Sequence, residues 1–313
     1  MSRILVTGAA GFIGFEVTKA LLGANFEVIG IDNFDETLNS DAQRRSRIAR
    51  FKHSSFNFIE ANLLYCRFDQ FLHDVDVVFH FAATPGLLPS WTHFSKYVDN
   101  NILASYKVAE AIQKSSTIKK LVVASTSSVY GEFAIGDEKS EIHPSSPYGI
   151  SKVATEQIFH ALLNDCKFDT YILRLFSVFG PNQREDMVWA KVINSILLGV
   201  KFPLTARPNH VRTCTYVGDI SDLCTKLVKL SGKSGIYNIC GGEEVNILEG
   251  IQIIEKLMGK RLNVEYAPSR RGDQVKTIGN SALAIKNLSF SPKTDFLTGI
   301  QNQITQAIML QTS

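Results

Sequence analysis

The amino-acid sequence predicts an α/β fold: a doubly wound parallel sheet with a smaller C-terminal α/β subdomain. Three observations lead there. Short apolar runs alternate with longer helix-like segments over residues 1–180, the pattern of parallel strands joined by crossover helices. The runs Asp76-Val77-Val78-Phe79-His80-Phe81 and Leu121-Val122-Val123-Ala124 are nearly continuously apolar, as strands buried on both faces are. After Gly180-Pro181 the elements shorten and turn residues become more frequent, which sets residues 181–313 apart.

In chain order, the predicted strands are Ile4–Val6, Glu27–Ile31, Phe56–Glu60, Val75–Phe79, Lys120–Ala124 and Tyr171–Leu175. Apolar residues at helical spacing place helices over Phe15–Leu22 and Ile102–Gln113. Beyond residue 180 come a helix over Trp189–Leu198, a strand near Thr213–Val217 and a helix near Ile220–Leu230. A strand at Ile236–Ile239 and a helix around Leu248–Met258 follow. A return of the chain to the first unit is expected near residues 212–240. The basic stretch Arg44-Arg45-Ser46-Arg47 reads as a solvated helix face rather than a phosphate site.

The 313 residues are 45% hydrophobic and carry 33 basic against 30 acidic side chains, a formal net charge of +3. Disorder is excluded, because a disordered chain is poor in apolar residues and strongly charged. A nucleic-acid partner is disfavoured, since that needs a strongly basic face. No stretch reaches the ~18 apolar residues of a membrane helix, and Met1-Ser2-Arg3 runs directly into Ile4-Leu5-Val6 without a signal-peptide core. The five cysteines are odd in number and lack CxxC spacing. They imply neither a disulfide frame nor a metal site, and fit buried thiols in a reducing cytoplasm.

Ile4-Leu5-Val6-Thr7-Gly8-Ala9-Ala10-Gly11-Phe12-Ile13-Gly14 reads as a strand, a G-x-x-G-x-x-G turn and a helix start. Such glycines let a pyrophosphate approach the helix N-terminus, where free N–H groups and the dipole favour anions. Asp32 ends the second strand about 18 residues beyond Gly14, near the ~20 expected of an acidic residue that accepts from ribose hydroxyls. That carboxylate repels a 2′-phosphate, so the Rossmann-type half is expected to bind NAD rather than NADP.

Tyr148-Gly149-Ile150-Ser151-Lys152 sets a phenol and an ammonium four residues apart, on one helix face. Free tyrosine, with a pKa near ~10, is a poor base. A neighbouring lysine cation and an oxidised nicotinamide both favour the phenolate, so the pair can abstract a hydroxyl proton. Ser125-Thr126-Ser127-Ser128 adds hydroxyls just past a core strand, where ligands of open α/β sheets bind.

Taken together, Gly8-x-x-Gly11-x-x-Gly14, Asp32, His80-Phe81-Ala82-Ala83, Asn101, Thr126 and Tyr148-x-x-x-Lys152 resemble the extended short-chain dehydrogenase/reductases. Arg174-Leu175-Phe176-Ser177-Val178-Phe179-Gly180-Pro181, Arg212–Asp219 and Arg271-Gly272-Asp273 extend the likeness to the branch that modifies nucleotide sugars. The resemblance implies Thr126, Tyr148 and Lys152 as catalytic hydroxyl, base and orienting cation. It implies NAD contacts at Gly8, Gly11, Phe12, Ile13, Gly14, Asp32, Asn33, Asn62 and Leu63. Phe81, Ala82, Ala83, Asn101, Ser125, Tyr148, Lys152 and Phe176 complete that set. Asn62 stands where the family usually has an Asp facing the adenine. Asn101 reads equally as a capping residue. For a UDP-sugar substrate it implies Pro85, Thr126, Ser127, Ser128, Tyr148, Ser177 and Arg184. Arg212 and Arg271 are the expected diphosphate clamps, with Asp273 beside them.

Family chemistry begins with oxidation at C4 of the sugar. Dehydratases then need an Asp-Glu pair after the threonine and decarboxylases a Glu; this chain has Ser127 and Ser128 there. Return of the hydride to the other face remains, which is 4-epimerisation. Thr126–Gly131, Ser177 and Gln183–Met187 look most like UDP-glucuronate 4-epimerases. Two departures are Leu88, where uronate epimerases can carry Arg, and Thr205–Asn209, which replaces a turn that packs on uracil. They leave the sugar open between a uronate and its hexose analogue. Other readings are a dehydratase, decarboxylase or 4-reductase, and a non-catalytic NAD-binding regulator. Ile102–Gln113 and Tyr148–Leu163 are the helices that pair in family homodimers; their apolar stripes serve equally as intrachain core.

Overall fold

A computed structural model describes residues 2–35, 41–205, 210–268, 272 and 274–311. The chain opens with β1 (Arg3–Thr7), α1 (Phe12–Gly23), β2 (Glu27–Asp32), α2 (Asp41–Ala49), β3 (Phe56–Glu60) and β4 (Val77–His80). Two short helices, α3 (Pro89–Thr92) and α4 (Phe94–Tyr97), lead through a π-helical turn at Val98–Leu103 into α5 (Ala104–Gln113). Then come β5 (Lys120–Thr126), a 3-10 turn at Ser127–Tyr130, β6 (Phe133–Gly136), α6 (Pro147–Leu163) and β7 (Asp169–Leu175). The rest comprises β8 (Val178–Phe179), α7 (Val188–Leu198), β9 (Phe202–Leu204), β10 (Val211–Tyr216), α8 (Val217–Lys229) and β11 (Gly235–Ile239). It closes with β12 (Glu243–Asn246), α9 (Ile247–Met258), β13 (Val264–Tyr266), β14 (Lys276–Gly279), α10 (Ala282–Leu288) and α11 (Phe296–Gln311).

The predicted parallel sheet is present, with seven strands in the order β3-β2-β1-β4-β5-β7-β11 and every pairing parallel. Strand alternation explains why both faces are apolar. Ile4 and Val6 pack in one layer with Leu21 of α1 and Leu223 of α8, whereas Leu5 packs in the other with Val108 of α5 and Phe159 of α6. The order reverses at β1, flanked by β2 and β4, and the crevice beyond the carboxyl ends of these strands is where such sheets bind ligands.

A second sheet runs β12-β10-β14-β6, with β8 against β10, and β9 pairs with β13. Its core gathers Trp189 and Ile193 of α7, Ile251 and Ile254 of α9, and Phe296 and Ile300 of α11. The two sheets exchange strands: β6 leaves the early part of the chain for the second sheet, and β11 returns to the edge of the first. Among the described residues no helix is long and apolar enough to cross a membrane.

One expectation fails. The arginines of α2 are not a solvated face, because Arg44 and Arg47 are each only 6% exposed. Arg44 sits 3.5 Å from the Asp32 carboxylate, and Arg47 donates to the Asn182 carbonyl at 3.0 Å. Only Arg45 behaves as expected, lying outside in ion pairs with Asp41 and Glu60. The thiols are also less uniform than predicted: Cys214, Cys224 and Cys240 are buried, but Cys66 and Cys166 are partly exposed, and all five are free.

Candidate active site

A cleft of about 660 Å³ runs along the carboxyl ends of the first sheet. Its cofactor end begins at the glycine turn. Gly8 has φ +71°, and a Cβ there would lie 2.7 Å from the Ala82 nitrogen. A Cβ on Gly14 would lie 2.1 Å from the Gly8 carbonyl oxygen, so the turn closes only without side chains. Gly11 caps α1 with no side-chain hydrogen bond, leaving the first N–H groups of the helix for an anion. This cradle fits the pyrophosphate of NAD. Phe12, Ile13, Asn33, Leu63, Phe81, Ala82 and Ala83 line the same end.

Asp32 is held by the Ala10 N–H at 3.0 Å and the Phe34 N–H at 2.9 Å. Burial pushes its carboxyl pKa up, opposed by those N–H groups and by Arg44. Asn62 lines the cleft as predicted, but its side-chain oxygen is engaged by the Leu64 N–H at 2.9 Å in a local turn.

The other part of the cleft is built where β5 meets α6. Thr126 accepts from the Ser128 N–H at 3.1 Å, capping the turn that presents Ser127 and Ser128. Ser146 caps α6 through the Gly149 N–H at 3.1 Å, with Pro147 in the first turn, a combination that fixes a helix start. Gly149 lets α6 press against that turn; a Cβ would lie 2.6 Å from the Ser128 carbonyl. The packing sets the Tyr148 phenol against Thr126, which helps to oppose the rise that burial imposes on it. Tyr148, Lys152, Ser125, Thr126, Ser127 and Ser128 all face the cleft.

The charges differ from expectation in one respect. Burial pushes the Tyr148 phenol up, and the cation that works against it is Arg184. Burial lowers Lys152 to about 8, opposed by Glu156 one turn further along α6. His80, fully buried beneath, is lowered to about 3 by burial and by Lys152, and is therefore neutral. Its ring nitrogens meet Thr7 at 2.9 Å and Ser105 at 3.0 Å.

Behind Lys152, Glu156 accepts from both arms of Arg174 at 3.0 and 2.8 Å and from the Ser125 hydroxyl. The pair is 1–2% exposed. Arg174 continues to Tyr130, and Tyr130 to Asn238, each at 2.8 Å. The motif arginine of the sequence is therefore a buried brace between α6, β7 and the turn after β5.

Pro85, Ser177, Arg184 and Arg212 also line the cleft. Ser177 holds a positive φ of 25° between β7 and β8, a strained conformation of the kind that gathers at functional sites. Arg184 is clamped by Asp186 at 2.8 and 2.9 Å. Arg212 donates to the Val275 carbonyl at 2.9 Å. Arg271 and Asp273 lie outside the described residues.

Two predicted cofactor contacts do not face the cleft. Phe176 is fully buried beside Tyr130. Asn101 is fully buried too: it accepts from the Thr84 N–H at 2.7 Å and donates to the Thr84 carbonyl at 3.0 Å and Ser151 at 2.9 Å. Its amide is spent on pinning the loop before Pro85 to α6. Its neighbour Asn100 faces the cleft instead. Sequence reasoning also missed Arg44, Asp186 and Gln274 on the cleft wall. Asp186 lies in the Gln183–Met187 segment already singled out, Arg44 in the basic run read as a solvated face, and Gln274 carries no local signal.

The arrangement sets a phenol, an ammonium and several hydroxyls around one dinucleotide-shaped cleft. Hydroxyls stand in the turn where an elimination needs carboxyl groups. Residues 4–240 match the model of the NAD dependent epimerase/dehydratase family. The chain is 34% identical over 310 residues to "Uncharacterized UDP-glucose epimerase YtcB" of Bacillus subtilis, with 96% of each chain covered. It is 29% identical over 312 residues to the UDP-glucuronate 4-epimerase of Thermodesulfobacterium geofontis, covering 97% of this chain and 95% of that one. The solved UDP-glucuronic acid 4-epimerase from Bacillus cereus, in complex with UDP-glucuronic acid and NAD, matches at a TM-score of 0.93 and 32% identity. That match covers 98% of this chain and 99% of the other. With its glycine cradle, Asp32 and Tyr148–Lys152 face on one cleft, the chain belongs to the NAD dependent epimerase/dehydratase family.

Proposed function

We propose that this chain is an NAD-dependent UDP-sugar 4-epimerase, acting on UDP-glucuronate and UDP-galacturonate. The observation that carries the reading is the meeting of Tyr148, Lys152 and Thr126 with the glycine cradle and Asp32 in one cleft. NAD, when bound, would supply the hydride acceptor and donor for C4 of the sugar. Tyr148 removes the C4 hydroxyl proton and later gives it back, a general acid–base role. Thr126 stands against the phenol, the Arg184 guanidinium favours the phenolate that burial disfavours, and Lys152, one turn along the same helix face, is the orienting cation. Gly8, Gly11 and Gly14 hold the pyrophosphate, Asp32 the adenosine ribose.

Ser127, Ser128 and Ser177 hydrogen-bond the sugar, and Arg184 supplies positive charge for its carboxylate. Arg212 and Arg271 receive the diphosphate, and Asp273 is the acidic residue of the same motif as Arg271. Residues 1–180, joined by the returning β11, form the NAD half, and 181–313 the nucleotide-sugar half. Leu103 and Tyr106 at α5 and Ile150 on α6 are 41–49% exposed, which supports a homodimer through those helices. The five free thiols support a cytoplasmic location.

The test is incubation with a panel of UDP-sugars, the products resolved by chromatography and NMR. An isomer of unchanged mass from UDP-glucuronate is expected. Loss of the mass of water or of carbon dioxide overturns the reading in favour of dehydration or decarboxylation, and turnover of UDP-glucose alone reassigns the sugar. Tyr148→Phe should cost at least ~10²-fold in kcat with NAD binding retained; full activity removes Tyr148 as the base.

A further inference from the structure

Arg44 was read from the sequence as part of a solvated face, yet it is buried against the cofactor end of the cleft. Its side chain is 7% exposed, and one terminal nitrogen stands 3.5 Å from Oδ1 of Asp32, itself 7% exposed. The other terminal nitrogen donates to the Asp35 carbonyl. Its Nε–H, also buried, has no hydrogen-bond partner among the described residues. A buried donor left unmet is costly, and this one belongs to a residue that lines the cleft.

We propose that Arg44 is a specificity-determining residue of the cofactor pocket, holding Asp32 as the acceptor for the adenosine ribose and offering its Nε–H to a ribose oxygen. The proposal rests on the NAD-binding reading above. Burial raises the Asp32 carboxyl and so disfavours its charged, accepting form, and the Arg44 guanidinium is the positive charge that works against this. The groups facing it are the Ala10, Asn33 and Phe34 N–H donors and the Arg44 guanidinium. Glu60, its neighbour across β3, is taken up by Arg45 at 2.7 and 2.8 Å. The Asp32–Arg44 pair is neutral as a unit. A 2′-phosphate would bring two negative charges against Asp32 and a guanidinium already engaged, so Arg44 serves the unphosphorylated ribose.

The test is calorimetric titration of nucleotide-stripped protein with NAD and with NADP between pH 6.5 and 9. For Arg44→Gln the expected result is at least a tenfold weaker NAD Kd at pH 6.5, recovering as pH rises and Asp32 ionises, against a flat wild-type profile. Arg44→Lys, which keeps the charge and loses the Nε–H, should weaken binding less and stay flat. If the Gln variant does not fold, Arg44→Met gives the same two readings. Unchanged NAD affinity and pH profile in the uncharged variant overturns the proposal, as does tighter NADP than NAD binding by the wild type. Wild type that binds neither nucleotide refutes the NAD reading itself, which is a different outcome.

Discussion

Glu156 and Arg174 are the most heavily buried ion pair of the described residues, 1% and 2% exposed, and Glu156→Leu tests what that pair does. Removing one partner strands a guanidinium inside the sheet, where such losses cost about 3–5 kcal/mol. With an unfolding entropy of ~2.1 cal/mol/K per residue, 313 residues lose about 0.65 kcal/mol of stability per kelvin near the midpoint. The expected fall in Tm is therefore about 5–8 °C. Glu156→Leu/Arg174→Met removes both charges and should recover most of it, because paired burial offers little net stability over well-packed apolar groups. Thermal unfolding followed by circular dichroism measures all three proteins. The double variant should regain stability without regaining activity, since Ser125 loses its acceptor and Lys152 its one-turn neighbour. A single variant within ~2 °C of wild type, or a double variant as unstable as the single, refutes the reasoning.

Gly14→Ala should abolish NAD binding or misfold the turn, given the 2.1 Å that a Cβ would leave to the Gly8 oxygen; calorimetry reads the first outcome and circular dichroism the second, and an NAD-binding, folded variant contradicts the cradle. Lys152 gives a pH prediction. Burial lowers it from 10.5 to about 8, so the folded protein releases this proton before the unfolded chain does. Its contribution to stability then rises with pH between about 8 and 10.5. Over the same window the ammonium beside Tyr148 disappears, so kcat should fall above pH about 8 while urea stability climbs. Lys152→Met should flatten the stability profile, and a wild-type kcat constant to pH 10.5 would count against the cation's role.

The parallel sheet was legible because its signal is local and redundant. β1 and β5 are apolar runs of strand length, and the glycine turn needs only residues 8–14 to declare itself. Tyr148 and Lys152 were legible for the same reason: one helix face carries both. β6 escaped notice because it is a four-residue strand with Phe133 and Ile135 exposed and only Ala134 fully buried, so its pattern does not resemble a core strand. Asn101, expected on the cleft wall, is buried within the π-helical turn over Val98–Leu103, and its neighbour Asn100 lines the cleft instead.

What stayed hidden shares one physical cause: polar side chains buried by partners far away in sequence. Arg47 looks like a solvent residue until Asn182, 135 positions on, supplies a carbonyl. The same Asn182 donates to Glu16 of α1 at 2.5 Å, and Gln43 of α2 donates to Glu185. No window of sequence contains both members of any of these pairs. Together they fasten the loop that carries Arg184 and Asp186 to the two helices that frame the adenosine end. Arg44 and Arg47 lie three residues apart on α2, one turned to Asp32 and the other to that loop. Through these two arginines α2 bridges Asp32 and the loop that carries Arg184 and Asp186. The stretch that reads as the most ordinary surface in the sequence is the strut between the two ends of the cleft.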